Sequence, residues 1–483
     1  MEGLEVKIIS FQELGIDNEK FRIDDEFFLK KYLKAYKRIK QKPNIQLGKV
    51  CSTLTDFSAN GSYATIAQNF TLLDEKDYAY MVRSTDLEKS NFVDNVKYVS
   101  KHSYEFLSKS KLYGGEILIN KIGSPGRVYL MPKLNMPVSL GMNLFMVRIK
   151  EDSGFNEKYL WAYFNTPIGQ NIIKRKVNGT VPLTIDKEAI RTLYLPLQSK
   201  DFQELIAGLV DDSENTLKAS KNHYTQAETN LLSEIGLDSI ELSDEPINVK
   251  SISESFNISG RLDAEYYQIK YEQVVEQIKS TNHDRLSSLV KIKKSIEPGS
   301  THYSEEGLPF VRVSDYDKFG LSTPDKYLTD EFCKENAELI KRLKPKKETI
   351  LFSKDGSVGT AYMLRKDADF ITSGAILHLT VKDKTKIIPE YLTLALNSKL
   401  VQMQAERDAG GSIILHWRVS EIENVVVPVI DFDKQREIAD LVEESFKLKK
   451  QSEHLLEVAK SAVEMAIEQD EETAIAFINV NTN

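Results

Sequence analysis

The chain contains the stretch YLWAYFNTPIGQNIIKRKVNGTVPLTIDKEAIRTLYLPLQSKDFQELIAGLV at residues 159–210 and the related stretch YLTLALNSKLVQMQAERDAGGSIILHWRVSEIENVVVPVIDFDKQREIADLV at residues 391–442. Aligned without a gap, they agree at 15 of 52 positions, where composition alone gives about three. A second match lies upstream, RIDDEFF at 22–28 and RLDAEYY at 261–267. A period of roughly 235 residues is too long for a solenoid and indicates a duplicated domain.

Both halves have the same order of parts, an opening helix, a β-rich body and a long helix. The sequence therefore predicts a mixed α/β (α+β) fold with two tandem homologous domains. The predicted boundaries are a first domain at 1–200, a first spacer helix at 201–237, a connector at 238–260, a second domain at 261–430, a second spacer helix at 431–473 and a tail at 474–483.

The two long helices carry small and apolar residues at alternating steps of three and four, which is the pattern of a coiled-coil seam. Val210, Ser213, Leu217 and Ser220 follow this pattern in the first helix. We expect the two helices to pack against each other as an antiparallel coiled-coil spacer. The alternative is that each helix lies on its own domain or on a partner protein.

Composition excludes several classes of protein. The chain is 41% hydrophobic and 28% charged, which is ordinary for a globular protein. No apolar stretch approaches the roughly 18 residues of a membrane span, and MEGLE does not begin like a signal peptide, so we expect a cytoplasmic location without a membrane partner. Cys51, Cys333 and seven scattered histidines predict neither a disulfide framework nor a metal site.

The charge is unevenly distributed. The net charge is −8, but residues 201–245 and 437–473 carry −9 and −7, which leaves +8 on the remainder. Basic domains joined by acidic helices suit a protein whose domains meet phosphate. The alternative is that the acidic stretches are simply solvated helix faces.

The sequence lacks the usual signatures of catalysis. It has no phosphate-binding loop, dinucleotide fingerprint, nucleophile elbow or zinc-protease motif. It also lacks the Asn-Pro-Pro-aromatic segment of amino-methyltransferases. We therefore predict no catalytic residues.

Two polar loops recur in both halves and are the candidate DNA-binding elements. A glycine turn follows a strand in ILINKIGSPGR at 117–127 and ILFSKDGSVGT at 350–360, and a loop follows a helix in KRKVNGT at 174–180 and RDAGGS at 407–412. Such loops can present amides, hydroxyls and cations to phosphates or base edges, although a purely structural glycine turn or helix cap remains the alternative. The predicted DNA-binding residues are Arg83, Lys121, Arg127, Lys174, Arg175, Lys176, Asn178, Thr180, Arg312, Lys354, Ser357, Arg407, Ser412, His416 and Arg418.

These elements resemble the specificity subunits of Type I restriction-modification enzymes over residues 21 to 470. The resemblance rests on the strand-turns GEILINKIG and TILFSKDG and on the strands LYLPLQ and VVVPVI. Each of these strands leads into a long helix through DFQELI or DKQREI.

The resemblance implies a non-catalytic DNA sequence-specificity subunit of a phage-defence system. Each target-recognition domain would bind one half of a bipartite site in double-stranded DNA. The helices would set the gap and dock two DNA methyltransferase (modification) subunits, and a restriction/translocase subunit could join them. S-adenosylmethionine, ATP and Mg would be bound by partner subunits and none by this chain. The alternatives are a stand-alone DNA nuclease or methyltransferase, a specificity subunit of another phage-defence system, and an interaction scaffold without DNA affinity.

Overall fold

The computed structural model describes residues 8–482 except 16, 19, 91, 94, 180, 246 and 412. The chain forms two compact units. Unit 1 consists of Met1–Asn215 and Gln451–Asn483, and unit 2 consists of Thr216–Lys450. Each unit therefore contains part of both long helices.

Unit 1 is built on two four-stranded sheets. The first is antiparallel, in the order Cys51–Asp56, Leu144–Ile149, Ile117–Asn120 and Val128–Leu130. The second has the order Lys97–Val99, Ala79–Val82, Val138–Leu140 and Lys111–Leu112, with its two central strands parallel. A two-stranded ladder pairs Asn44–Gln46 with Tyr194–Pro196.

The first sheet of unit 1 is buried on both faces. Ile117 and Ile119 belong to the core that the helices cover, whereas Leu118 between them packs in the core of the second sheet. This alternation is the period of two expected of a strand. The helices of unit 1 that precede the long helices are Phe11–Leu14, Lys30–Lys40, Leu47–Val50, Tyr63–Asn69, Ser84–Glu88, Lys101–Phe106, Glu157–Phe164, Pro167–Lys176 and Lys187–Arg191.

Unit 2 repeats this arrangement. Its first sheet has the order Val290–Lys294, Ile376–Val381, Ile350–Ser353 and Ala361–Met363, again antiparallel. Its second sheet has the order Tyr303–Ser304, Tyr327–Leu328, Leu308–Val311 and Ile371–Thr372. Two short ladders pair His283–Arg285 with Val426–Pro428 and Tyr316–Asp317 with Gly320–Leu321. The helices of unit 2 besides the long ones are Phe256–Ser259, Ile269–Lys279, Leu286–Leu289, Asp330–Glu335, Ala337–Leu343, Pro389–Asn397, Lys399–Asp408 and Val419–Ile422.

The first long helix is Lys200–Ile235 and the second is Phe432–Glu468. In unit 1, Ser213 Oγ donates a hydrogen bond to the Ser452 carbonyl at 2.9 Å. In unit 2, Ser220 Oγ donates to the Ser445 carbonyl at 2.7 Å. The partner number falls as the residue number rises, so the helices pack antiparallel, and the predicted antiparallel coiled coil is confirmed.

Residues that recur in the sequence form equivalent hydrogen bonds in the two units. Gln203 Nε2 donates a hydrogen bond to the Gly154 carbonyl at 3.0 Å, and Gln435 Nε2 donates to the Lys386 carbonyl at 3.1 Å. Both glutamines are buried at the start of a long helix. Without the glutamine, the buried backbone carbonyl would have no hydrogen-bond donor. This cost explains why both copies retain the residue.

The ends of the chain segments differ from the predicted boundaries. The first long helix ends at Ile235, because Gly236 adopts a left-handed conformation with φ of 70°. Residues 474–482 of the predicted tail instead belong to a helix, Glu471–Thr482, whose Ala474 and Ile478 are buried in the core of unit 1. This helix is therefore part of unit 1.

Candidate nucleic-acid interface

The two polar loops of unit 1 lie side by side. The loop that follows helix Pro167–Lys176 is closed by reciprocal backbone hydrogen bonds between Asn178 and Thr184, both at 2.8 Å. The same loop meets the glycine turn, because Thr184 forms a backbone bridge with Ile122 and the Ile185 amide donates to the Lys121 carbonyl at 3.2 Å. The two recurring elements thus form one surface.

Unit 2 builds the same arrangement. Gly410 and His416 exchange backbone hydrogen bonds at 3.1 and 2.7 Å. The loop meets the glycine turn through the Gly356 amide, which donates to the Leu415 carbonyl at 2.9 Å, and through the Trp417 amide. We call the closed loops 178–184 and 410–416 the tip loops.

At two positions in these elements, a side chain larger than that of glycine would clash with neighbouring atoms. Gly126 has φ of 86°, and a Cβ there would lie 2.5 Å from Ile173 Cγ2. In the unit 2 tip loop, Gly411 has φ of 130°, and a Cβ would lie 2.1 Å from the Ile414 carbonyl oxygen. The turns therefore need glycine for their own packing, whatever they bind.

A buried carboxylate organises the cations of the unit 1 surface. Lys121 Nζ donates to Asp56 Oδ2 at 2.9 Å, and Lys187 Nζ lies 2.7 Å from Asp56 Oδ1. Burial opposes ionisation of Asp56, but hydrogen bonds from Lys187, Lys121 and Ser58 outweigh it and hold the pKa of this carboxyl below its usual range. Both ammonium groups are partly exposed beside an open cleft of about 520 Å³.

The unit 2 surface uses different polar residues at the same place. Lys354 Nζ is paired with Asp355, and His416 Nδ1 lies 2.8 Å from the other carboxylate oxygen of Asp355. The His416 ring and the Arg418 guanidinium are mostly exposed, and Arg418 Nε lies 3.4 Å from Glu421. The apolar frame is thus shared by the two units, whereas the polar groups on it differ.

A second group of predicted residues lies against the second sheets. Arg83 Nη2 donates to the buried Asp86 carboxylate at 2.7 Å, and Arg312 occupies the equivalent place beside the buried Asp315, with Nε 3.6 Å from Oδ2. Arg127 is more exposed, and its Nη1 donates to Glu88 at 2.8 Å. Among the described residues, no contact joins Arg83 or Arg312 to a tip loop.

Arg175 and Lys176 require a correction. Arg175 is 3% exposed, its Nε donates to the Phe27 carbonyl at 3.3 Å, and its guanidinium lies 4.1 Å from the centre of the Phe27 ring. Lys176 is also buried, and its Nζ donates to the Asp17 carbonyl at 3.2 Å. Both cations are held inside unit 1, so this geometry does not offer them to DNA.

Arg407 is half-buried and has similar surroundings. Its Nε donates to Asp408 Oδ1 at 2.8 Å, and its guanidinium lies 5.2 Å from the centre of the Tyr266 ring. Tyr266 corresponds in the repeat to Phe27, so Arg175 and Arg407 make equivalent contacts with the opening segment of each unit. These recurring arginines stabilise the fold.

The remaining predicted residues have mixed surroundings. Lys174 and Ser357 are exposed, and the Asn178 side-chain carbonyl accepts from Thr184 Oγ1 at 3.1 Å. Thr180 and Ser412 lie outside the described residues. Asp56, Lys187 and Asp355 were missed by the sequence reasoning, since only folding brings these positions to the lysines and the histidine.

The described residues contain neither a metal-binding cluster nor a helix suited to crossing a membrane. No group of His, Cys, Asp and Glu is arranged to hold a metal ion within 8–482, apart from the seven positions omitted above. Across the same part of the chain, no helix has the length and apolar character of a membrane span.

One protein-family model matches part of the chain. The model of the Type I restriction modification DNA specificity domain matches residues 282–458. A search of curated proteins found no match. Among solved structures, the chain is similar to a Type-I restriction-modification system S subunit from M. genitalium, with 14% identity over 90% of this chain and 95% of that one, and a TM-score of 0.38. It is also similar to the HsdS subunit from Thermoanaerobacter tengcongensis, with 14% identity over 89% of this chain and 97% of that one, and a TM-score of 0.27.

The matched model describes a DNA specificity domain, and this description agrees with the DNA-binding role that the sequence predicts. Residues 282–458 match the model of the Type I restriction modification DNA specificity domain, which agrees with the family that the repeated motifs of this chain resemble.

Proposed function

We propose that this chain is the sequence-specificity subunit of a restriction-modification complex and reads a bipartite site in double-stranded DNA, with one half-site for each unit. The observation that carries the proposal is the recurrence of one loop arrangement in both units. Each unit joins a glycine turn to a closed tip loop, and the pair in unit 2 lies within the residues 282–458 that match the DNA specificity domain. The first unit takes the same role by repetition.

The polar groups support two different half-sites. Unit 1 presents Lys121 and Lys187 around Asp56, whereas unit 2 presents Lys354 and His416 around Asp355. Side chains with different donors and acceptors, held on the same frame, read different base edges. An asymmetric bipartite site is the expected target.

The long helices are the proposed docking surface for two DNA methyltransferase subunits. The two acidic segments at 201–245 and 437–473 carry −9 and −7, and most of their acidic side chains are exposed or partly exposed. A partner with a basic surface would be electrostatically complementary to them. S-adenosylmethionine would be bound by these partners, as would ATP and Mg by a restriction subunit.

The proposal is tested by co-expressing the chain with its modification subunits in a host free of DNA methylation and sequencing the methylated genome. We expect one motif with two specified parts and a fixed unspecified gap. Lys174→Ala and Arg418→Ala each remove an exposed cation near one tip loop. Each should weaken binding by about tenfold at one half-site only.

Three results would contradict the proposal. A contiguous motif would exclude bipartite reading. Methyl transfer by the purified chain alone would support the stand-alone enzyme. DNA binding that is insensitive to salt would support the scaffold, because several phosphate contacts make affinity fall steeply with salt.

A further inference from the structure

The tip loops carry exposed aliphatic side chains at corresponding positions. In unit 1, Val181 is 92% exposed and Leu183 is partly exposed. In unit 2, Ile413 is 95% exposed, and Ile414 and Leu415 are also exposed. Val181 aligns with Ile413 and Leu183 with Leu415 in the repeat, so both copies place aliphatic residues at the tip.

Backbone hydrogen bonds hold the base of each tip loop. Each tip loop is closed at its base by two backbone hydrogen bonds and is attached to the glycine turn by a further backbone bridge. The backbone at the base of each loop is therefore fixed before a partner binds. Preorganisation of this kind favours binding.

The surroundings of the tips suit a polyanion. Lys174 is exposed at the end of the helix that leads into the unit 1 loop, and it makes no ion pair with any residue that the structure describes. In unit 2, His416 and Arg418 follow the aliphatic tip in the chain and are largely exposed. A duplex combines a phosphate frame with apolar base surfaces inside its grooves, and this combination matches an aliphatic tip beside cations.

We infer that each tip loop inserts its aliphatic side chains into the duplex at its own half-site and makes apolar contact with the bases. The contact is with a thymine methyl group or with the face of a base at an opened step. This inference rests on the proposed function, and it names the residues that discriminate bases there. The exposed cations Lys174 and Arg418 would hold the backbone, while Val181 and Ile413 would add apolar sequence dependence to the readout by the polar groups of each surface.

The test uses the complex of the full chain with its modification subunits and a duplex that carries the methylated motif. Val181→Ser and Ile413→Ser are compared with Val249→Ser, a control that alters a 91% exposed valine outside the tip loops. Exposed positions tolerate serine without loss of folding. We expect each tip variant to lose at least about tenfold in affinity for the motif while its affinity for unrelated duplex is unchanged. The control should retain both affinities.

Two modified duplexes identify the contact. Uracil in place of thymine removes the methyl group, and 2-aminopurine at successive positions reports an opened step by increased fluorescence. Loss of affinity with uracil, or increased fluorescence that disappears in the tip variant, supports the inference. It is overturned if neither change occurs, if a tip variant binds the motif as tightly as the parent, or if it loses the modification subunits instead. If the parent complex binds no duplex specifically, the proposed function fails together with the inference.

Discussion

His378 lies on the strand Ile376–Val381 of unit 2, where the repeat places Met146 in unit 1. The imidazole is 3% exposed, and its Nε2 lies 2.8 Å from Thr372 Oγ1. Burial, with a smaller contribution from the nearby Lys293 cation, lowers the pKa of His378 from 6.5 to about 4. The folded protein therefore keeps this histidine neutral under conditions in which the unfolded chain protonates it.

The pKa of His378 is lower in the folded protein than in the unfolded chain. The free energy of unfolding therefore decreases as the pH decreases. The contribution of neutral His378 is complete above pH 6.5 and is lost as the pH falls towards 4. Over this range we expect the unfolding free energy of the parent chain to fall by about 3 kcal/mol more than that of His378→Met. Urea denaturation of the full chain at a series of pH values measures the difference.

The exposed His102 provides the control for this prediction. His102→Met should follow the parent profile. Parallel pH profiles for the parent and His378→Met would show that the buried imidazole does not control the acid sensitivity.

At the scale of residues, positions that are identical in both copies make contacts that stabilise the fold. Asn165 and Asn397 recur, and each side-chain amide donates to a strand carbonyl, Val128 in unit 1 and Ala361 in unit 2. Arg175 recurs for the same reason, and its burial does not favour the prediction that it contacts DNA. Two copies that read different half-sites share what folding requires and differ in what touches the target.

The seam between the long helices contains hydrogen-bonded serines. Ser213 and Ser452 are buried in unit 1, and each hydroxyl donates to the carbonyl of the other residue at 2.9 Å. A hydroxyl pair of this kind fixes which residues face each other, because a shift of register would leave both groups buried without partners.

Substitution of this pair tests its contribution. Ser213→Ala removes the hydroxyl that pairs with Ser452 and should lower the unfolding free energy by about 1 to 2 kcal/mol. The double variant with Ser452→Ala should cost less than the sum of the single variants, since it leaves no unpartnered hydroxyl. Denaturation of the four chains of this cycle measures the coupling.

Ser233→Ala changes an exposed serine of the same helix and should have almost no effect. Additive single and double variants would contradict a coupled pair.

At the scale of elements, the sequence predicted the type of most long segments but not their limits. The three-and-four spacing indicated the seam correctly, because both helices bury one stripe along their length. The helix Glu471–Thr482 was not predicted, because few of its side chains are buried and its apolar pattern is short. The second sheet of each unit also escaped prediction, since strands of two to four residues carry too little alternation.

For the whole molecule, the length of the long helices is expected to set the gap of the proposed DNA site. Both helices pass from residues of one unit to residues of the other, between 215 and 216 and between 450 and 451. Seven residues inserted at both places preserve the seam and add about 10 Å at 1.5 Å per residue. At about 3.4 Å per base pair, we expect the gap in the methylated motif to increase by about three base pairs.

The control inserts three residues at both places, which moves the seam out of phase and should destabilise the helix pair. Methylome sequencing measures the gap of each variant. An unchanged gap with the seven-residue insertions would contradict the role of the helices as the spacer.

The duplication was predictable from sequence, and so was the order of parts within each copy. The surface that joins the glycine turn to the tip loop was not, because Lys121 and Thr184 are separated by 62 residues and no local pattern links them. Their proximity depends on the pairing of strands and helices across the unit, which only the three-dimensional structure provides.

The end of the chain belongs to the unit in which the chain begins. Helix Glu471–Thr482 buries Ala474 and Ile478 in the core that also contains Tyr36 and Leu160. During translation, residues 451–483 must therefore leave the ribosome before unit 1 can close. Unit 2 is uninterrupted and has all its residues earlier, so a nascent chain would complete unit 2 before unit 1.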